Sequence, residues 1–143
     1  MDQATPDVLQ FLSIDGTKLL RILVSLFISI LFLQSGLDKV FDWKGNKGYF
    51  TDHFKKSPLK GTVPILLPVI TLFEVGAGVL SLFGIIIYLL NGNADIAIIG
   101  MLLASLSIIQ LFLGQRLAKD YAGAAVLVPY FLVTVVGLFL YLF

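Results

Sequence analysis

The sequence predicts an all-α integral membrane protein: a bundle of four transmembrane helices with a short amphipathic segment between helices 1 and 2. Three observations lead there. First, 58% of the 143 residues are apolar and only 13% are charged, with a mean hydropathy of +0.97. A soluble domain of this size needs more polar surface. Second, four apolar runs cover about residues 18–37, 63–90, 94–114 and 121–142, each close to or above the roughly 20 residues that cross a bilayer. Third, each run carries one stripe of small or polar residues, as helices that meet in lipid do. Turning the four stripes inward makes residues 1–143 a single membrane domain.

Composition also removes several function classes. A net charge of +1 gives no case for a nucleic-acid partner. With no cysteine, thiolate catalysis, disulfide exchange and Fe–S ligation are out of reach for this chain alone. A single histidine, His53, makes no metal or haem site by itself. No catalytic residue set stands out. The first apolar run is long and is followed by Gly36-Leu37-Asp38-Lys39 in place of a small-residue cleavage site, so no cleaved signal is expected.

Residues 1–17 are polar and acidic. Thr5-Pro6-Asp7 has the form of a helix start, Thr5 capping and Pro6 in the first turn. Val8, Leu9, Phe11 and Leu12 then lie along the membrane surface, or the segment is a loose tail. In the first spanning helix Arg21, Ser25, Ser29, Phe32 and Gly36 recur at three- and four-residue steps and share a face.

The connection from Asp38 to Gly61 is the long polar one, with six lysines. Trp43 and Tyr49 have the character of interface aromatics. Tyr49, Phe50, His53 and Phe54 fit one side of a short amphipathic helix that Ser57-Pro58 ends. The second spanning helix starts near Val63, with Pro64 in its first turn and a kink expected at Pro68. Its polar face holds Thr71, Glu74, Ala77, Gly78 and Ser81. Asn91-Gly92-Asn93 is a tight turn. The third helix has Gly100, Ala104, Ser107 and Gly114 on one face, with Gln110 beside it. The fourth has Gly123, Tyr130, Thr134, Gly137 and Tyr141. Gly36, Gly78, Gly100, Ala104, Gly114 and Gly123 are the expected helix-packing positions.

Eight of the ten Lys and Arg residues fall in the first and third connections. That bias puts the basic loop 38–61 on the cytoplasmic side, against the anionic leaflet, and both termini on the other side.

Glu74 is the one charge in the 29 residues from Thr62 to Leu90. Helix rise puts it ~19 Å from Gly61, near the bilayer centre. An ionisable group there costs at least ~2.5 kcal/mol unless it is paired, protonated or hydrated, so it is a functional candidate by default. Arg21 lies ~24 Å from the same side. Arg21 and Glu74 are therefore expected to pair or to share a polar cavity. Such a pair is either a structural ion pair that fixes helix register or a proton-accepting, ligand-orienting carboxylate. Tyr130, ~14 Å deep, needs a hydrogen-bond partner, for which Glu74 and Gln110 are candidates. Asp38, Lys39, His53, Arg116, Lys119 and Asp120 end helices on one side. They form either an interfacial cluster for a headgroup or anion, or solvated caps.

The strings Arg21-Ile22-Leu23, Gln34-Ser35-Gly36-Leu37-Asp38-Lys39-Val40-Phe41, Val63-Pro64 and Leu72-Phe73-Glu74-Val75-Gly76-Ala77-Gly78 together resemble the DoxX family. Residues 114–125 resemble a Bacteroidetes-type branch of it. The resemblance implies a multi-pass bacterial inner-membrane protein, with Arg21, Gly36, Lys39 and Glu74 at the family's recurrent polar positions. It also implies a redox neighbourhood. Some relatives are membrane subunits of thiosulfate:quinone oxidoreductase, and others associate with thiol-redox or superoxide-handling proteins. Without cysteine, this chain is left with scaffolding or quinone contact. The expectation is a non-catalytic accessory subunit among other membrane-complex subunits in the lipid bilayer, with no resident cofactor. A quinone-interacting subunit with the ring between Tyr130 and Glu74, and a small transporter or proton-conducting bundle using Arg21 and Glu74, are the alternatives.

Overall fold

The computed structural model describes residues 6–143. Its six helices are α1 (Asp7–Phe11), α2 (Gly16–Phe41), α3 (Trp43–Phe54), α4 (Val63–Asn91), α5 (Asp95–Leu117) and α6 (Tyr121–Leu142). Four of them, α2, α4, α5 and α6, are long and apolar enough to span a membrane.

The helix ends follow local chemistry. Asp15 caps α2 by accepting from the Thr17 and Lys18 amides, so the helix starts before residue 18. It runs to Phe41 because Asp38 and Lys39 continue the turn and do not break it. Asp42 caps α3, accepting from Gly45 N. Gly92 ends α4 at φ 77°, a left-handed position that suits glycine. Asp120 caps α6, accepting from Gly123 N at 2.9 Å. Pro68 and Pro129 lie inside α4 and α6, and both helices continue through them. α1 begins at Asp7 with Pro6 at its cap position, one residue later than the sequence expectation; Thr5 lies outside the described residues.

The spanning helices pack in the order α2, α4, α5, α6, with α6 returning to α2. Small residues set the close approaches. A Cβ on Gly36 would lie 2.9 Å from Val75 N, and one on Gly78 would lie 2.6 Å from Leu33 N. A Cβ on Gly84 would lie 2.6 Å from Ala97 N, and one on Gly100 would meet Ser81 N at the same distance. Ala104 is fully buried. The core gathers Ile28, Phe32, Ala77, Met101, Ile108 and Tyr141.

These contacts define an antiparallel register in which Gly36 stands level with Val75 and Leu33 with Gly78. The first turns of α4 therefore reach past the end of α2. There α3 folds back over them, with Phe54 packed among Val63, Leu67 and Ile70.

Candidate functional site

The register brings the last turns of α2 level with Glu74. Lys39 Nζ lies 2.8 Å from Glu74 Oε2, and both side chains are almost wholly buried. Ser35 donates to Glu74 Oε1 at 3.0 Å. The Lys39 ammonium also donates to the Ser35 carbonyl and hydroxyl, both at 3.2 Å. Its approach to Oε2 is off the hydrogen-bond direction, so that oxygen has a counter-charge but no aligned donor. Ser35 and Lys39 are one helical turn apart on α2, so Ser35 bridges cation and carboxylate.

This corrects the expected partnership. Arg21 does not meet Glu74. It reaches the other end of the bundle, where Nε donates to Leu140 O at 2.6 Å and Nη1 donates to Tyr88 Oη at 3.0 Å. Its guanidinium also lies over the Tyr88 and Tyr141 rings, 5.9 and 5.5 Å from the centroids. Tyr141 closes the cluster through Ser25 Oγ at 2.8 Å and Arg21 O at 3.2 Å. Arg21 therefore ties α2, α4 and the last turn of α6 together.

Tyr130 is not beside Glu74 either. It packs against Phe27, with ring centroids 6.5 Å apart, and hydrogen-bonds neither Glu74 nor Gln110 among the described residues.

The expected interfacial cluster divides. Lys39 turns inward to Glu74. His53 Nε2 lies 2.7 Å from Gln115 Oε1 and 3.8 Å from Asp120 Oδ2, which joins α3 to the α5–α6 connection. Arg116 stacks over Tyr121 at 4.5 Å. Asp38 and Lys119 are exposed, and Lys119 sits in the turn at φ 59°. Outside the spanning helices, Asp52 is held below the usual carboxylate range by its hydrogen bond from, and the charge of, Lys55.

Two of the packing glycines do other work. Gly114 faces the Phe54 ring at ordinary contact distance, 3.4 Å. Gly123 makes no helix–helix approach, because the neighbour of its would-be Cβ is the Asp120 cap carboxylate. Gly84 was absent from the expected set, although the Thr71–Glu74–Gly78–Ser81 stripe continues to it one turn on. A fuller pattern reading would also have put Lys39 on the inward face of α2. Arg21, Ser25, Ser29, Phe32 and Gly36 extend at the same spacing to Lys39.

Chemically, the Lys39–Glu74–Ser35 group can hold two helices in register. Among known proteins, the model of one family, DoxX, matches residues 18–109, which takes in α3, α4 and most of α2 and α5. No curated protein and no solved structure matches the chain.

Proposed function

We propose, from the premise that this chain belongs to the DoxX family, that it is a non-catalytic accessory subunit of a larger, redox-linked complex in the bacterial inner membrane. One observation supports this most: the two buried charges of the spanning helices meet each other, and the part-buried Arg21 is hydrogen-bonded within the chain. Lys39 is matched by Glu74, and Arg21 by Leu140 O and Tyr88. Groups closed on one another serve assembly better than they serve a substrate. The outer face of α6 offers Val126, Leu132, Val136 and Phe139 to a neighbouring apolar helix. The redox link rests on the family resemblance. The Lys and Arg bias supports an orientation with the α3 side facing the cytoplasm.

A pull-down in gentle detergent, read by mass spectrometry of proteins and lipids, tests the proposal. A membrane protein recovered in fixed stoichiometry supports it, and a chain recovered alone overturns it. The proton-conducting alternative has one observation behind it, the Glu74 oxygen without an aligned donor. Proton flux in proteoliposomes that disappears in Glu74→Gln would favour that alternative.

A further inference from the structure

Helix α3 is a strap laid across one end of the bundle. It has 12 residues, two of them glycine, and Phe54 is its one buried residue. A helix that short is marginal in water without tertiary contacts. Phe54 supplies an apolar anchor among Val63, Leu67 and Ile70 at the start of α4. Among the described residues, the one side-chain hydrogen bond from α3 to α5 is that of His53 Nε2 with Gln115 Oε1, at 2.7 Å.

The imidazole is fixed in position. It stacks on Tyr49, with ring centroids 5.6 Å apart, and meets Phe54 edge-on. Its side chain is 18% exposed. Asp120 Oδ2 lies 3.8 Å from Nε2. The other oxygen of that carboxylate caps α6 by accepting from Gly123 N. The carboxylate is thus held beside the ring by a bond that does not depend on the charge of the ring.

Other charges near the ring are engaged or turned to solvent. On α3 itself Asp52 is matched by Lys55, and Tyr49 is the stacked phenol. On α5 Arg116 lies over the Tyr121 ring, and in the turn Lys119 is exposed. Neither forms an ion pair with Asp120 among the described residues. The α4 residues packed against Phe54 are uncharged. His53 is the one histidine of the chain, and histidine is the side chain whose ordinary titration falls between about pH 5 and 8.

We propose that His53 is a pH-sensitive latch: protonation of its ring clamps α3 against Gln115 and Asp120, and loss of that proton loosens the strap. The neutral ring keeps a hydrogen bond with Gln115. The protonated ring makes that bond charge-assisted and sets a positive charge beside the Asp120 carboxylate. Both gains leave with the proton, so α3 is held more firmly on the acid side of the imidazole range. The latch goes beyond the accessory-subunit reading and does not rest on it.

Hydrogen exchange of the α3 amides tests this, in the purified full chain held in phosphatidylcholine nanodiscs. Exchange is followed at about pH 5.5 and about pH 8, and each rate is divided by the intrinsic rate at that pH. Protection of α3 should be about three- to tenfold greater at the lower pH. Asp120→Asn keeps the α6 cap, since asparagine caps a helix as well as aspartate does, and should remove most of the difference. His53→Gln keeps a group that can bond Gln115 and should remove all of it. Equal protection of the unaltered chain at both pH values overturns the proposal. So does a difference that persists in His53→Gln or is undiminished in Asp120→Asn. A change of the same size in the α6 amides also overturns it, because the response would then belong to the whole bundle. The assay needs no partner protein, so its outcome is separate from that of the accessory-subunit reading.

Discussion

Lys39 and Glu74, on different helices and 35 positions apart in sequence, meet at 2.8 Å in a place where neither side chain is more than 9% exposed. Taking both charges out of water is costly, and their attraction returns much of that cost only while both are present. Glu74→Leu or Lys39→Met alone should therefore destabilise the bundle by about 3–5 kcal/mol, because each leaves an uncompensated buried charge. The double variant should recover most of the loss. Reversible unfolding in mixed micelles would measure this cycle. Additive single losses would mean that the two groups do not depend on each other.

Arg21→Ala should loosen the far end of α6. It removes the donor to Leu140 O and the contacts with Tyr88 and Tyr141. A hydrogen bond from a charged donor contributes about 1.5–3 kcal/mol. Arg21→Lys should restore only part of this, since an ammonium can neither fork nor stack as a guanidinium does. Hydrogen exchange at the α6 amides near Leu140 is the readout, and equal protection in all three proteins would contradict the assignment.

The glycines should separate into classes. Gly78→Val and Gly100→Val drive atoms into Leu33 and Ser81 backbone and should each cost about 1–3 kcal/mol or more. Gly48→Ala has nothing within 4 Å and should raise the helical stability of α3 by about 0.5–1 kcal/mol. Thermal unfolding followed by circular dichroism would rank them.

Asp52 titrates below its ordinary 3.8 because Lys55 bonds and charges its carboxylate. The folded-state pKa is lowered, so this small contribution is present above 3.8 and is lost as the pH falls through the lowered value. Carboxyl NMR should show Lys55→Gln returning Asp52 toward 3.8. The pair is exposed, so its effect on stability is slight.

The spans were legible because hydropathy over 20 residues is a strong signal, and the α6 bounds match the expected ones. The partners were not legible, because they depend on register. Heights measured from loop ends assume that helices start level. Here α4 projects beyond α2, so Glu74 stands opposite Lys39 and not near Arg21. By sequence Lys39 stands at a helix end, in an interfacial cluster or as a solvated cap, yet α2 continues to Phe41 and turns that lysine inward. Arg21 found carbonyl and phenol oxygens in place of a carboxylate, acceptors that no one-dimensional pattern marks.

The Arg21 tie also sets an order of events during synthesis. Its shortest contact is a carbonyl 119 positions further along the chain, in the final turn of α6. α2, α4 and α5 all precede that acceptor along the chain, so it reaches the bilayer after they do. Through that interval the guanidinium must stay hydrated or lean on Tyr88 alone. Lateral release of α6 beside α2 is therefore the step that locks the first helix in place. A nascent chain stopped before Leu140 would present an open cation to quality-control proteases.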